Sequence, residues 1–280
     1  MPGDGIDRDV ARCGRFHSCA ASHAGTADRL NEDAYVNRPD LGLWAVADGA
    51  GGHEAGEVAS AEVARLLQTI DSGLSGSEML AAVRSRLEDV HARLHVQAGQ
   101  LGGGAMVATT VVVVLARDDH FACLWAGDSR AYLLRGHALT RITRDHTLVQ
   151  ALLDSEAITE AEAINHPQAN VITRAVGDGT DALELDKRTG RLMAGDRLLL
   201  CSDGLSKSLP EERLGELLGG DQGTGAERLV MAALAARVVD NVTAVTIDFG
   251  PGDDSAAVEA ESLDVGASSV LDAKSTVEAA

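Results

Sequence analysis

The chain is poor in aromatic side chains, which make up only 2% of its 280 residues. Its core must therefore be mostly aliphatic, and a hydrophobic content of 45% is enough for one large domain or two small ones. Basic residues are also scarce, because 24 Lys and Arg oppose 43 Asp and Glu to give a formal net charge of -19. Such a chain gains nothing from nucleic-acid phosphates or anionic membranes, so we expect neither as a partner.

Cysteine pairs and long apolar runs are missing as well. The four cysteines include no C-x-x-C spacing, which argues against a zinc site or a disulfide framework. No apolar run reaches the roughly 20 residues needed to cross a bilayer. The charged start of the chain also lacks the apolar stretch of a secretory signal peptide. We therefore expect a cytoplasmic protein, with a monomer as the default state.

Several signatures of covalent catalysis and phosphate binding are absent too. The sequence contains no C-x₅-R loop, no G-x-S-x-G elbow and no G-x-x-x-x-G-K-[ST] loop. A covalent route through a cysteine or serine nucleophile is therefore not indicated.

Acidic residues instead stand where apolar, strand-like runs meet polar chain. Asp48 ends one such run, Asp203 follows another and Asp240 precedes a third. Each Asp-Gly or Asp-Asn pair alone is more typical of a turn, but together they suggest strand ends that converge. Two carboxylates about 4 Å apart repel by about 4 kcal/mol at an effective dielectric near 20. Divalent cations relieve such repulsion, and oxygen ligands suit Mg²⁺ and Mn²⁺, so the pattern predicts a hydrolase built around hard metal ions.

Apolar periodicity predicts a fold with both helices and strands. Helical spacing of apolar residues covers 57–70 and 77–97, and strands and helices otherwise come in blocks. This arrangement favours an α+β fold with antiparallel sheets covered by helices. The predicted strands are 33–37, 43–47, 109–115, 121–126, 131–135, 197–201 and 242–249, with a weak strand pattern over 10–21. Further helices are predicted at 148–153, 159–164, 209–218 and 226–239.

Composition divides the chain into three parts. Residues 1–15 are interpreted as a flexible leader, and residues 16–250 as one continuous domain. Residues 251–280 contain no aromatic side chain and are rich in Ala, Ser, Asp and Glu, which predicts an acidic, disordered tail.

Ordered motifs along most of the chain point to one family. They lie at 22–25, 31–33, 46–53, 108–110, 127–132, 145–149, 166–174, 202–205 and 240–243. Over residues 17–249 the sequence resembles the metal-dependent Ser/Thr protein phosphatases of type 2C in their compact bacterial form. The resemblance implies a four-layer α-β-β-α sandwich of two antiparallel sheets flanked by helices. It also implies hydrolysis of phosphoserine and phosphothreonine in proteins by direct attack of a water that bridges two metal ions.

The resemblance assigns metal ligands residue by residue. Asp48 would bridge two ions, Mn²⁺ or Mg²⁺, and with Asp203 would activate the water. Asp203 and Asp240 would hold the first ion, and the Gly49 carbonyl the second. Asp33 would act near the second ion.

Further roles follow from the same resemblance. Glu32 and Asn241 would support the ligands, and Asp128 with Asp203 would offer a third, weaker site. The segment at about 147–179 would be a mobile flap that influences substrate choice. Phosphorylated proteins would be the partners, with a bacterial Ser/Thr kinase as the counterpart in signalling.

The chain departs from the family at the phosphate-gripping arginine, whose position is taken by Asp28. Arg29 follows, but a one-residue shift in an extended segment points its side chain to the other face. Either Asp28 repels the substrate phosphate, or it turns to solvent and the metals alone hold the phosphate. Losing a charge-assisted hydrogen bond costs about 1.5–3 kcal/mol. Arg174 in the flap is a candidate replacement contact, or else a member of a structural salt bridge.

A second departure concerns the proton donor, because Ala50 takes the place of a histidine proposed as general acid in eukaryotic relatives. His53 is near enough in sequence to donate a proton to the leaving oxygen, or it is a structural or surface residue. Asp28 also leaves open a weakened or inactive phosphatase-like regulator that binds phosphoproteins without turnover. The complete set of Asp33, Asp48, Asp203 and Asp240 favours an enzyme. Hydrolysis of small phosphate esters is a third interpretation.

Overall fold

The computed structural model describes residues 5–26, 30–50, 54–102, 105–164 and 166–251. The strands are β1 (Asp7–Cys13), β2 (Phe16–His23), β3 (Asp33–Arg38), β4 (Leu43–Ala50), β5 (Ala108–Thr109), β6 (Val111–Arg117), β7 (His120–Ala126), β8 (Arg130–Arg135), β9 (Ala138–Arg141), β10 (Asp186–Arg191), β11 (Arg197–Cys201) and β12 (Val242–Phe249). The helices are α1 (Glu54–Gln68), α2 (Gly76–Leu101), α3 (Leu148–Asp154), α4 (Glu160–Ala163), α5 (Asp203–Ser208), α6 (Glu211–Leu218) and α7 (Gly225–Ala235).

Two antiparallel sheets form the centre of the fold. One sheet has the strand order β1-β2-β12-β11-β8-β9, and the other has the order β10-β7-β6-β4-β3 with β5 paired to β4. Helices α1 and α2 pack on the second sheet, and α5, α6 and α7 pack on the first. The predicted four-layer α-β-β-α sandwich is thus confirmed.

Strand alternation explains why the central strands are apolar along their whole length. In β4, Trp44 and Val46 enter the apolar cluster between the two sheets. The alternate residues Leu43, Ala45 and Ala47 enter the cluster between this sheet and helices α1 and α2. A strand buried on both faces cannot show polar alternation, so the unbroken apolar runs in the sequence mark the inner strands.

The start of the chain differs from the predicted flexible leader over residues 1–15. Residues of β1 pair with β2 along its full length, from Asp7 opposite Ser22 to Cys13 opposite Phe16. Gly14, with φ +52°, provides the left-handed backbone that the tight turn between them requires. Most β1 side chains are exposed, because an edge strand is held by its backbone hydrogen bonds. Its sequence therefore carries no apolar pattern.

The other predicted regions have mixed outcomes. Helices α3 and α4 lie within the predicted flap, near their expected positions. Strand β10, which follows the flap, was not predicted because its side chains are polar or charged and mostly exposed. Nearly all of the predicted acidic tail, from residue 252 onward, lies outside the described residues, so the tail stays a prediction. Across the described ranges, no helix combines the length and apolarity needed to span a membrane.

Candidate metal centre

Five aspartates meet at one edge of the sandwich, where residues of both sheets come together. Asp33 begins β3 and Asp48 lies near the end of β4, on one sheet, and Asp128 follows β7 of that sheet. Asp203 begins α5 directly after β11, and Asp240 precedes β12, both next to the other sheet. The charges of the other four aspartates all act on the Asp48 carboxylate. The fold therefore brings together all five predicted aspartate ligands.

Asp33 and Asp48 form the side of the cluster that belongs to a single strand pair. They stand directly opposite each other in the β3–β4 register, a position where like charges are destabilising. Burial raises the pKa of Asp48 well above its usual value, and the charge of Asp33 adds to this. Burial likewise raises the pKa of Asp33 to about 7, against the opposing hydrogen bonds from Thr243 and Ser202. Buried Asp33 Oδ1 has no hydrogen-bond partner within the described ranges.

Asp128 and Asp203 form the other side of the cluster. Burial, together with the charge of Asp203, raises the pKa of Asp128 to about 6. Lys207, which the sequence analysis did not assign, sends its ammonium group into this side. Its Nζ contacts the Asp203 carboxylate and lies 3.7 Å from Asp128 Oδ2. This contact could not be predicted from the sequence, because the short helix α5 that carries Lys207 was not recognised.

A backbone hydrogen bond joins Gly49 to Glu32 next to the acid cluster. The Gly49 N–H donates to the Glu32 carbonyl at 3.1 Å, and the Ser60 hydroxyl donates to the same oxygen at 2.5 Å. A Cβ atom on Gly49 would lie 2.2 Å from the Gly56 carbonyl oxygen. Only glycine fits this close approach, so the backbone next to Asp48 has a fixed path.

Asn241 joins the start of β12 to the loop that precedes Asp33. Its side-chain amide donates to the carbonyls of Ala24 and Leu30 at 3.0 and 3.1 Å, and its oxygen accepts from the Glu32 N–H at 2.8 Å. A Cβ atom on Gly204 would lie 1.9 Å from the Asn241 carbonyl oxygen. The start of α5 therefore packs directly against the start of β12, which brings Asp203 next to Asp240.

Buried hydroxyl groups form hydrogen bonds with Asp33 and with the backbone of Asp48. These hydroxyl groups were not predicted as part of the site. Ser202 Oγ donates to Asp33 Oδ2 at 2.8 Å and links the two sheets. The Asp48 N–H donates to Thr110 Oγ1 at 3.1 Å, and Thr109 Oγ1 donates to the Asp48 carbonyl at 2.9 Å. Both threonines lie in the quoted 108–110 motif, but their role depends on contacts between strands that sequence spacing does not reveal.

The predicted substrate contacts have different outcomes. The Arg174 guanidinium lies 3.2 Å from Glu184 and 3.2 Å from Asp186, so it is engaged in ion pairs of the flap. Its role as a phosphate contact stays a prediction. Asp28, Arg29 and His53 lie outside the described residues.

A cleft of about 950 Å³ runs from the acid cluster to the predicted flap. Asp128, Asp203 and Lys207 line one end, and residues of α3 and α4 line the other. Basic groups beside it are themselves paired, since Arg130 holds Asp145 at 2.6 Å and Arg144 contacts Asp154. The cleft therefore offers a mixed polar and apolar surface that begins at the carboxylates.

The chemistry of the donor set fits a divalent cation. Five carboxylates gather in one place, and two of their buried oxygens, on Asp33 and Asp128, have no hydrogen-bond partner among the described residues. Hard cations such as Mg²⁺ and Mn²⁺ prefer such oxygen ligands. Within the same residues, no three His, Cys, Asp or Glu side chains are already close enough to hold a metal ion. Holding an ion would therefore require the carboxylates to move closer to one another.

Comparisons with known proteins agree with this geometry. The family model for protein phosphatase 2C matches residues 20–236. The serine/threonine protein phosphatase PstP of Mycobacterium tuberculosis is 39% identical over 234 residues, which cover 82% of this chain and 44% of that protein. The chain thus spans less than half the length of this relative.

Solved structures match in fold as well as in sequence. PppA, described as a key regulatory component of T6SS in Pseudomonas aeruginosa, has a TM-score of 0.77 and 38% identity, over 87% of this chain and 100% of that one. The catalytic domain of the phosphatase PstP, in complex with two manganese ions, has a TM-score of 0.73 and 35% identity, over 84% of this chain and 99% of that domain.

Proposed function

This chain belongs to the protein phosphatase 2C family, and we propose that it removes phosphate from phosphoserine and phosphothreonine in proteins with the help of Mn²⁺ or Mg²⁺. The observation that carries the proposal is the convergence of five aspartates, two of which have a buried oxygen with no hydrogen-bond partner among the described residues. A manganese-bound relative with 35% identity supports the choice of metal.

The ligands divide between two main ions and a weaker third site. Asp48 would bridge the two ions, Asp203 and Asp240 would hold the first, and Asp33 and the Gly49 carbonyl would hold the second. In the family pattern, the residues at the positions of Asp128 and Asp203 would offer the third site. Bound ions would supply Lewis-acid chemistry, because they neutralise phosphate charge and activate a water for direct attack on phosphorus.

The side chains around the ligands prepare them for this task. Ser202 holds one oxygen of Asp33 at 2.8 Å and leaves the other free toward the cluster. Thr109 and Thr110 fix the backbone on both sides of the Asp48 Cα. These buried contacts restrict the movement of the Asp33 carboxylate and of the backbone at Asp48 before any ion or substrate arrives.

The substrate would enter along the cleft between the acid cluster and the flap. Its volume of about 950 Å³ and its mixed polar and apolar lining suit a peptide segment around the phosphorylated residue. A Ser/Thr kinase would be the counterpart that phosphorylates the same proteins. A cytoplasmic location and a monomeric state remain predictions.

Turnover of a phosphothreonine peptide with Mn²⁺ and with a chelator tests the proposal. We expect the wild type to release phosphate only with Mn²⁺, and Asp203→Ala to release none. The exposed Asp71→Ala is the matched control and should behave as the wild type. Activity retained in Asp203→Ala would contradict the metal assignment. Tight Mn²⁺ and phosphopeptide binding without turnover would instead favour the inactive, phosphoprotein-binding regulator.

A further inference from the structure

Lys207 is one of three lysines in the chain, and it stands inside the acid cluster. It follows Asp203 by four residues in α5, so both side chains lie on the same face of the helix. Its ammonium group contacts Asp203 and lies 3.7 Å from Asp128 Oδ2. A single positive charge thus lies between the two aspartates on this side.

The position of the ammonium group is fixed by a third contact. Lys207 Nζ donates to Asn170 Oδ1 at 2.8 Å, and Asn170 belongs to the flap. A lysine ammonium has three N–H donors, and here they face an aspartate in α5, an aspartate after β7 and an amide of the flap. Although the side chain is 44% exposed, its charged end is held in one place.

Asp128 shows that this place is suited to a cation. Its side chain is only 6% exposed, and its Oδ1 atom has no hydrogen-bond partner within the described part of the chain. A buried carboxylate of this kind requires a nearby positive charge. Lys207 supplies the charge that lies within 4 Å of it, from the Asp203 side.

A divalent ion shared by Asp128 and Asp203 would compete with this ammonium group for the same oxygens. It would also be repelled by the lysine charge at a distance of a few ångströms, where partly buried charges are weakly screened. Lys207 and a third ion therefore cannot occupy this place together unless the ammonium group moves away from Asp203, Asp128 and Asn170.

We propose that Lys207 is a tethered cation that takes the place of the third metal ion. This inference rests on the proposed metal centre, and it states that the chain binds two divalent ions there and no third. The Asp128–Asp203 side is then neutralised at any metal concentration, since its cation is part of the chain.

The number of Mn²⁺ ions bound per chain tests this assignment without any measurement of activity. Isothermal titration and electron paramagnetic resonance of free Mn²⁺ would be applied to the metal-free full chain. We expect two ions for the wild type and a third, weaker one for Lys207→Asn. Lys207→Arg keeps the charge and should still bind two. The control Lys187→Asn, at an exposed position in β10, should also bind two.

A double variant locates the third ion. Lys207→Asn combined with Asp128→Asn should return to two ions, because the neutral amide no longer attracts the third. Three ions in the wild type, or two in Lys207→Asn with an unchanged circular dichroism spectrum, would overturn the inference. A wild type that binds no Mn²⁺ would contradict the metal centre itself, and the role of Lys207 as a substitute would fall with it.

Discussion

The two sides of the acid cluster differ in the positive charge that lies next to their buried carboxylates. Asp33 and Asp48 face each other across β3 and β4, and within the described ranges neither carboxylate has a basic side chain within 4 Å. Asp128 and Asp203 share the ammonium group of Lys207. Under the proposed function, the first side would take its cations from solution, whereas the second has the ammonium group of Lys207. A side that exchanges ions would then lie next to a side whose positive charge is part of the chain.

This difference arises from the elements that carry the residues. The β3–β4 register places Asp33 and Asp48 opposite each other. Within the described residues no basic side chain forms an ion pair with either carboxylate, although the charge of Lys207 in α5 also acts on Asp48. Asp203 begins a helix, so the residue four positions later returns to it along the same face. The facing positions of β3 and β4 are both aspartates. At the start of α5, by contrast, Asp203 forms an ion pair with Lys207 one helical turn later.

The largest expected effect is a loss of turnover when an aspartate of the Asp33–Asp48 side is neutralised. Asp48→Asn should lower turnover with Mn²⁺ by about 1000-fold, because a loss of about 4 kcal/mol of transition-state stabilisation follows from the loss of a bridging charge. Asp128→Asn, on the side that Lys207 neutralises, should lower it by less than about tenfold. Phosphate release by both variants at saturating Mn²⁺ measures the difference. Equal losses would mean that the two sides are equivalent.

The contrast between the two sides also explains how much the sequence could predict. Asp48, Asp203 and Asp240 stand out because each borders an apolar run, and these runs are inner strands buried on both faces. The contact between Lys207 and Asp128 could not be predicted, since it joins residues 79 positions apart through a six-residue helix. That helix contains Gly204, whose propensity is low, and it is held by packing against Asn241.

Two of the edge strands were not recognised in the sequence for a related reason. β1 and β10 each lie at the edge of a sheet, and their side chains are mostly exposed. Their pairing depends on backbone hydrogen bonds with β2 and β7. Charged side chains are typical of such edges because they discourage pairing with other chains. The sequences of β1 and β10 therefore indicate exposure and not strand conformation.

The next effect concerns phosphate binding, because the family pattern has an arginine at the position of Asp28 in this chain. Asp28→Arg should raise kcat/KM for a phosphothreonine peptide by about 10-fold or more, since a charge-assisted hydrogen bond contributes about 1.5–3 kcal/mol. Steady-state kinetics of both proteins at fixed Mn²⁺ measures the change. An unchanged kcat/KM would show that position 28 does not face the substrate, and Asp28→Asn separates lost repulsion from gained attraction.

The pH dependence of the unfolding free energy, measured without metal, tests the cost of burying the Asp33 carboxylate. Burial raises the pKa of Asp33 to about 7, so between pH of about 4 and 7 the folded chain holds a proton that the unfolded chain releases. The folded state then loses stability as the pH rises through this range. With a chelator at pH 8, Asp33→Asn should be more stable than the wild type by about 1–3 kcal/mol, and the gap should close near pH 4. Urea unfolding at both pH values measures it. Greater stability of the wild type at pH 8 would contradict the prediction.

The smallest expected effect tests whether Lys207, on the Asp128–Asp203 side, also positions the flap. Asn170→Ala removes the hydrogen bond from Lys207 Nζ to Asn170 Oδ1, a contact of 2.8 Å at an exposed position. Because such a bond contributes about 0.5–1.5 kcal/mol, KM for a phosphopeptide should change by about 2- to 10-fold while kcat stays within twofold. Gln168→Ala, an exposed neighbour in the same segment, is the matched control and should leave both constants unchanged. A fall in kcat without a change in KM would place the effect of Asn170 in the acid cluster and not in the flap. In that case Lys207 serves the metal ligands alone, and the two sides of the cluster differ only in the source of their cation.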